Sequence, residues 1–554
     1  MELLNLFIFF IIFLLSYYSI SGYGIIFNKY LLSTKDNKIA VTTDIISNFF
    51  TGIPLLIICG FLNYIFFGYN FIINFVCLSI GFVIFFLNVN IFKIFKISIL
   101  PSCLFIGLLI SKTHDDFVLY HFQYLKELSD NTLKFGLGNI DLRYGYSSLF
   151  SYLQGIFILP YYGLNFFHVP IYLIYVSLVN YLFFKTLETN NDKKFLVFFL
   201  QIFIMIKFKR LSEFGYDYIV QFLLIYLFVD FYTHTKNNIE NFIVNLAIYL
   251  TALGIKIVGI FFLPVFFYFL FIKNFFYVKY LKTKTYFVLL SAVFVIFLDS
   301  FLKVGCIHYT FVSTCLSNDI VSWAVDKNAI EDNAKMISLW TKGFYHQGNE
   351  RVEDIKLYLQ NYNWIFNWIK VHFYKKVLDS IIIIFIIFIS LYFFKKKKET
   401  YTFNNKFLIF SLLLSLVIWF LILPQFRFGF SIIILFTFFV LKNLFKKNIF
   451  IKKKQFILMT VCLVVYFNFM NILRIKEEFS RNDEYKYIEF PFFPLNQKNY
   501  IISYNSENKE YFMPIQKELG SCFNLPTPCS VTDIDFKYYS IFYRKIIFIK
   551  KVNS

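Results

Sequence analysis

The sequence predicts an all-α polytopic transmembrane bundle of about 14 helices with a small extracytoplasmic C-terminal lobe of α/β or β-rich character. Three observations lead there. Of 554 residues, 58% are hydrophobic and only 16% charged, with a mean hydropathy of +0.62, whereas soluble domains carry about 25% charged residues. Apolar runs near the length needed to cross a bilayer recur along the chain. The basic residues fall in short clusters between those runs, such as Lys395–Lys398 and Lys452–Lys454. The net charge of +20 therefore reads as loop asymmetry across a membrane rather than as a polyanion site. No basic–aromatic module accompanies it, so nucleic acid is excluded as a partner. The 81 Phe and 41 Tyr residues reflect compositional bias and carry little functional weight.

The expected spans lie near 3–24, 46–66, 71–91, 97–111, 169–187, 194–208, 216–232, 240–256, 258–274, 283–303, 376–394, 406–423, 428–445 and 454–472. The first run lacks a basic leader and a small-residue cleavage site, so it reads as a retained helix. Lys29, Lys35, Lys38, Lys93, Lys96, Lys193, Lys194 and the clusters at Lys395 and Lys446 then mark the inside. Segments 112–168 and 304–375 and the tail from about 473 fall outside, provided that 147–163 lies on or re-enters the outer surface without crossing. The domain reading is a transmembrane unit 1–472 and an outer lobe 473–554.

Cysteine placement points the same way. Cys59, Cys77, Cys103 and Cys462 lie in spans, while Cys306 with Cys315 and Cys522 with Cys529 form close pairs in the outer segments. Disulfides belong in an oxidising compartment. The pairs read as disulfides in preference to zinc ligands, for which histidine company is lacking, or to free thiols.

The densest polar stretch is Lys112-Thr113-His114-Asp115-Asp116, followed by Tyr120 and His121, immediately after a short span. Adjacent carboxylates repel, so one of them needs a cation or a hydrogen bond. Asp116 and Tyr120 share a helical face. Further along, Gly136-Leu137-Gly138-Asn139 and Arg143-Tyr144-Gly145 supply backbone N–H groups and a guanidinium suited to an anion. Other outer candidates are Lys207, Lys209 and Arg210, then Glu213 and Asp217, then Lys256 in an apolar span, and Arg427 at the tip of a hairpin. Charge near membrane depth is costly and marks function by default. The competing readings are that Asp115 and Asp116 cap a surface helix and that Lys256 and Arg427 snorkel to the interface.

The run from His114 to Tyr146, with Gly305-Cys306 to Thr314-Cys315, Trp323, Trp340 with Lys342-Gly343, Pro424 to Gly429 and Cys522 to Cys529, resembles an uncharacterised family of bacterial polytopic membrane proteins. That family is similar in outline to GT-C-type glycosyltransferases. The resemblance implies a multi-pass protein of the bacterial inner membrane that acts on the outer face. Its donor would be a polyprenyl-phosphate-linked sugar, its acceptor a glycan or lipid, and its purpose surface glycan assembly. Asp115 or Asp116 would be the base, with Arg143, Lys209, Arg210 and Arg427 as phosphate partners and His114, Tyr120, His121, Asn139, Glu213, Asp217 and Lys256 completing the substrate site. Some GT-C enzymes need a divalent cation, for which His114, Asp115, Asp116 and Glu213 are the available ligands. A polysaccharide polymerase or ligase, and a lipid-linked oligosaccharide transporter or flippase, remain open alternatives.

Overall fold

The computed structural model describes residues 2–31, 42–109, 116–130, 132–146, 148–159, 163–189, 191–209, 211, 215–234, 239–272, 283–309, 311–344, 355–392, 406–445, 452–481, 500–504, 510–514, 522, 525–530, 533–541 and 544–551. Among them helix dominates, and every stretch expected to span is helical. Seven helical stretches are long and apolar enough to cross a membrane: Leu3–Lys29, Thr42–Phe67, Phe71–Asn88, Ile91–Leu108, Phe166–Glu188, Phe426–Phe445 and Lys453–Glu477. Shorter apolar helices cover Asn241–Ile255, Ile257–Ile272 and Lys406–Ile422.

Helices α1 (Glu2–Ile26), α2 (Thr42–Phe67) and α3 (Phe71–Asn88) pack closely. Their contacts depend on glycine: a Cβ at Gly22 would lie 1.8 Å from the Gly81 carbonyl oxygen. Small residues of this kind let apolar helices approach backbone to backbone where no solvent drives association. The next helix, α4 (Ile91–Leu104), begins earlier than expected, with Asn90 capping it through a bond from the Phe92 N–H. Lys93 and Lys96 therefore ride on its first turns instead of forming a loop.

The polar loop that follows holds two short helices, α5 (Phe122–Ser129) and α6 (Phe150–Ile156), with strand β1 (Leu133–Phe135) between them. All seven residues of α6 are buried against α2 and α3. Of the two forms expected for 147–163, lying on the outer surface or re-entering it, the described residues 150–156 take the re-entrant one and insert into the bundle.

The bundle continues through α7 (Val169–Glu188), α8 (Asn191–Lys207), α9 (Asp217–Thr233), α10 (Ile239–Ile255), α11 (Leu263–Ile272) and α12 (Thr283–Val304). A second polar segment follows, with α13 (Lys327–Thr341), α14 (Ile355–Leu359) and α15 (Ile365–Trp368). It leads into α16 (Leu378–Tyr392), α17 (Lys406–Ile422), α18 (Phe426–Phe445) and α19 (Lys453–Arg481). Because α19 continues its helical hydrogen bonding into the charged turns Arg474–Arg481, the expected boundary at 472 falls inside a helix.

Successive helix ends alternate between two faces of the bundle. At one, Thr43 bonds Glu188, Lys193 donates to the Thr233 carbonyl at 3.1 Å, and Asn245 donates to Asp230 at 2.9 Å. At the other, Asn74 donates to the Gly155 carbonyl at 3.1 Å, the Leu149 N–H to Gly254 at 3.1 Å, and the Gly136 N–H to Leu302 at 2.8 Å. The two polar segments and the C-terminal strands all sit at this second face.

The described part of the C-terminal region holds four strands: β2 (Tyr500–Tyr504) pairs antiparallel with β3 (Glu510–Pro514), and β4 (Ile534–Ile541) with β5 (Arg544–Lys551). The larger sheet has the order β1-β5-β4, with β1 parallel to β5. The lobe thus borrows an edge strand from the acidic loop. Both expected cysteine pairs are bonded, Cys306 with Cys315 and Cys522 with Cys529.

Candidate functional site

At the second face four charged residues from four parts of the chain meet. Asp217 is the first residue of α9, where a carboxylate suits the positive end of the helix dipole. Arg427 is the second residue of α18, where the same dipole opposes a cation, so it needs carboxylates. It has two: its Nη1 lies 3.1 Å from Asp116 and its Nε 3.1 Å from Asp217. Gln425 accepts from the same Nε at 2.9 Å. Lys256 is not inside a spanning helix: α10 ends at Ile255, and Lys256 takes an extended backbone before a 3₁₀ turn, Ile257–Phe262. That break lets its ammonium reach Asp217 and sit 4.5 Å above the Phe428 ring. Two carboxylates and two cations balance.

Asp116 leads into a π-helical turn, Phe117–His121, that joins α5. Such turns are rare and frequent at functional sites. Burial, then the Asp116 carboxylate, push the Tyr120 phenol well above its usual range, so it stays a donor. Burial holds the His121 imidazole down to about 4 against the pull of Asp116 and Asp217, so it is neutral at pH 7. Its ring packs edge-on to Tyr216 at 5.0 Å.

Asp116, Tyr120, Tyr216, Lys256, Arg427 and Phe428 line a cavity of about 480 Å³. Its charged part is Asp116, Arg427 and Lys256, with Asp217 behind them. An aliphatic wall comes from the 3₁₀ turn and the end of α17: Ile257, Val258, Ile422 and Leu423. A third part, from the second polar segment, holds His308, Tyr309, Asn333 and Trp340. Arg143 lies between, 5.2 Å from the Tyr120 ring and bonded to Asp141 at 2.5 Å. Burial opposes its charge and the Asp141 bond more than restores it.

Of the residues singled out from the sequence, the structure brings together Asp116, Tyr120, Arg143, Lys256 and Arg427 around the cavity, with Asp217 and His121 behind. It places three elsewhere, of which Lys207 pairs with Asp379 at 2.6 Å. Asn139 holds the loop to its neighbours, donating to the carbonyls of Trp323 at 3.0 Å and Ile549 at 2.9 Å. Lys209 faces outward, 3.1 Å from the Tyr466 hydroxyl of α19. His114, Asp115, Arg210 and Glu213 lie outside the described residues. Among the described residues no three His, Cys, Asp or Glu side chains converge as metal ligands, and Asp116 is paired with Arg427, so they offer a divalent cation no donor set. Sequence reasoning missed Tyr146, Tyr216, His308, Tyr309, Asn333 and Ser338 as lining residues. The one available signal was tyrosine and Trp340 density in the outer segments.

Residues 6–434 match the family described as a domain of unknown function, DUF8201. The chain belongs to this family. The DUF8201 region contains every residue lining the cavity and ends before α19 and the C-terminal strands. No curated protein and no solved structure matches the chain.

Proposed function

We propose that this DUF8201 protein is a multi-pass membrane glycosyltransferase of the bacterial inner membrane, with all of the expected stretches spanning. It transfers a sugar from a polyprenyl-phosphate carrier on the outer face, in surface glycan assembly. One observation carries the reading: a carboxylate, a guanidinium and an ammonium share one cavity with an aliphatic wall. A lipid-linked sugar phosphate has those same parts, an anion beside an apolar chain. Ile422 lines the cavity and is also 50% exposed, and Leu421 and Ile260 beside the same wall are exposed too. The wall thus passes into the bundle's apolar outer surface, where a prenyl chain would lie.

In this reading Asp115 or Asp116 takes the proton from an acceptor hydroxyl as its oxygen attacks the anomeric carbon. The bond from that carbon to the phosphate oxygen breaks, and the polyprenyl phosphate leaves against Arg427, Lys256 and Arg143. Arginine suits this role because its fork meets phosphate through two parallel bonds. Replacing Asp115 and Asp116 together by Asn is expected to cut sugar transfer in reconstituted membranes by at least about 100-fold, the cost of losing a positioned base, with insertion unchanged. Full transfer by that variant contradicts the proposal.

A further inference from the structure

The part of the cavity that the second polar segment lines, with Tyr146, presents uncharged hydrogen-bonding groups. The Asn333 amide donates to the Tyr309 hydroxyl at 2.9 Å and the Tyr146 hydroxyl at 3.3 Å, and the two tyrosine rings meet edge to face at 4.8 Å. His308 adds an imidazole that burial holds toward its neutral form. Asn333, Ala334, Ile337 and Ser338 lie on one face of α13 and all line the cavity, while Asp332 and Lys335 on the far side pair with each other at the surface. Tyr309 and His308 are held in place from behind. The Cys306–Cys315 disulfide closes their loop, and Thr314 bonds the His308 N–H at 3.2 Å.

Simple core packing would account for Tyr309, which is 2% exposed. It does not account for Asn333, whose polar side chain is only partly buried and turned inward beside the exposed Ala334. The arrangement of neutral donors and acceptors next to aromatic faces matches a polyol, whose hydroxyls need directional partners and whose C–H faces rest on rings. Charged groups would be wasted on such a ligand, and Tyr146, Tyr309 and Asn333 carry none, with Arg143 and its partner Asp141 standing between them and the ionic cluster.

We propose that His308, Tyr309, Asn333 and Tyr146 form a sugar-ring subsite, which makes the segment held by Cys306–Cys315 and α13 the specificity element of the cavity. This rests on the glycosyltransferase reading for its ligand, the sugar of the donor or of the acceptor. The contact path Arg427–Asp116, Tyr120–Arg143, Tyr146–Tyr309 links the ionic cluster to this end of the cavity.

The test measures binding to the full chain in nanodiscs. The probes are decaprenyl phosphate, decaprenyl phosphates bearing glucose, galactose, mannose or N-acetylglucosamine, and the methyl glycosides of the same four sugars. Asn333→Ala and Tyr309→Phe are expected to weaken the best-bound sugar-bearing probe at least about 10-fold, the scale of an unpaired polar group, and to leave decaprenyl phosphate within about 2-fold. Arg427→Gln weakens every phosphate-bearing probe. Loss confined to lipid-linked sugars assigns the subsite to the donor; loss confined to methyl glycosides assigns it to the acceptor. If wild type binds no polyprenyl phosphate but binds a methyl glycoside in an Asn333-dependent way, the subsite stands and the glycosyltransferase reading falls. If both variants leave all sugar binding unchanged, or weaken decaprenyl phosphate equally, or no probe binds, the subsite assignment is overturned. Tyr309→Phe keeps the ring and its packing, so an effect there does not arise from failure to fold.

Discussion

One loop carries two ionic clusters with opposite designs. At its start Asp116 meets Arg427 at 3.1 Å, with side chains 23% and 21% exposed to the cavity. On the following helix Glu127 meets Lys134 at 2.6 Å with both side chains fully buried, and Asp130 binds the same ammonium. The second cluster is finished internally: the Cys529 N–H donates to Glu127 at 2.9 Å and Thr527 to Asp130 at 2.6 Å. Every charge there has a protein partner, and two of the partners come from the C-terminal lobe. The first cluster leaves a side facing open volume. Pairing within the fold marks structure, whereas pairing beside a cavity marks a place where a ligand's charge can enter.

The comparison predicts opposite outcomes for similar mutations. Lys134→Ala strands Glu127 in the interior and is expected to cost about 3–5 kcal/mol, as removing one partner of a buried pair does. It should also loosen β1 from β5, so that limited proteolysis releases the C-terminal strands. An unfolding midpoint equal to wild type would break the contrast.

A smaller effect concerns acid. His121 is held down to about 4 in the folded chain and titrates near 6.5 when unfolded. Between those values the unfolded state binds the extra proton, so stability falls as pH drops from about 6.5 to about 4, by about 3 kcal/mol in total. His121→Gln should remove that slope, measured as the unfolding midpoint between pH 7 and pH 4.5. An unchanged slope would show that His121 is not the group responsible.

The smallest effect sharpens the comparison from outside it. Lys209 is a half-buried cation whose bond to the Tyr466 hydroxyl is exposed, and such contacts contribute little. Lys209→Ala should leave transfer within about 2-fold and stability within about 0.5 kcal/mol. A large loss of transfer would bring Lys209 back into the site.

Much of this arrangement is readable from residue order. Hydropathy locates the helical stretches, and the alternation of their ends brings Asp116, Asp217, Lys256 and Arg427 to one face, because each stands at a helix end on the same side. Local pattern cannot separate a ligand from a structural bond, however. Asn139 follows a glycine turn in a polar loop and looks like an anion contact, yet its amide satisfies two distant carbonyls. Gly136 adopts φ +79° where a Cβ would meet the Ile549 carbonyl at 2.4 Å, so that turn serves the sheet and not an anion. The pairing of a three-residue strand at Leu133–Phe135 with Ile546–Phe548 is set by packing across some four hundred residues. The seating of Asn333 and Trp340 over the cavity also depends on tertiary contacts that no periodicity announces.

The central claim is that the accessible cluster works on a substrate while the sealed one holds the fold. It is tested most directly by measuring, in one reconstituted preparation of the Asp115→Asn, Asp116→Asn protein, both sugar transfer from a polyprenyl phosphate and the unfolding midpoint. The account predicts transfer reduced at least about 100-fold with the midpoint within about 4 °C of wild type. Transfer retained, or lost only in step with a collapse of the midpoint, would contradict it.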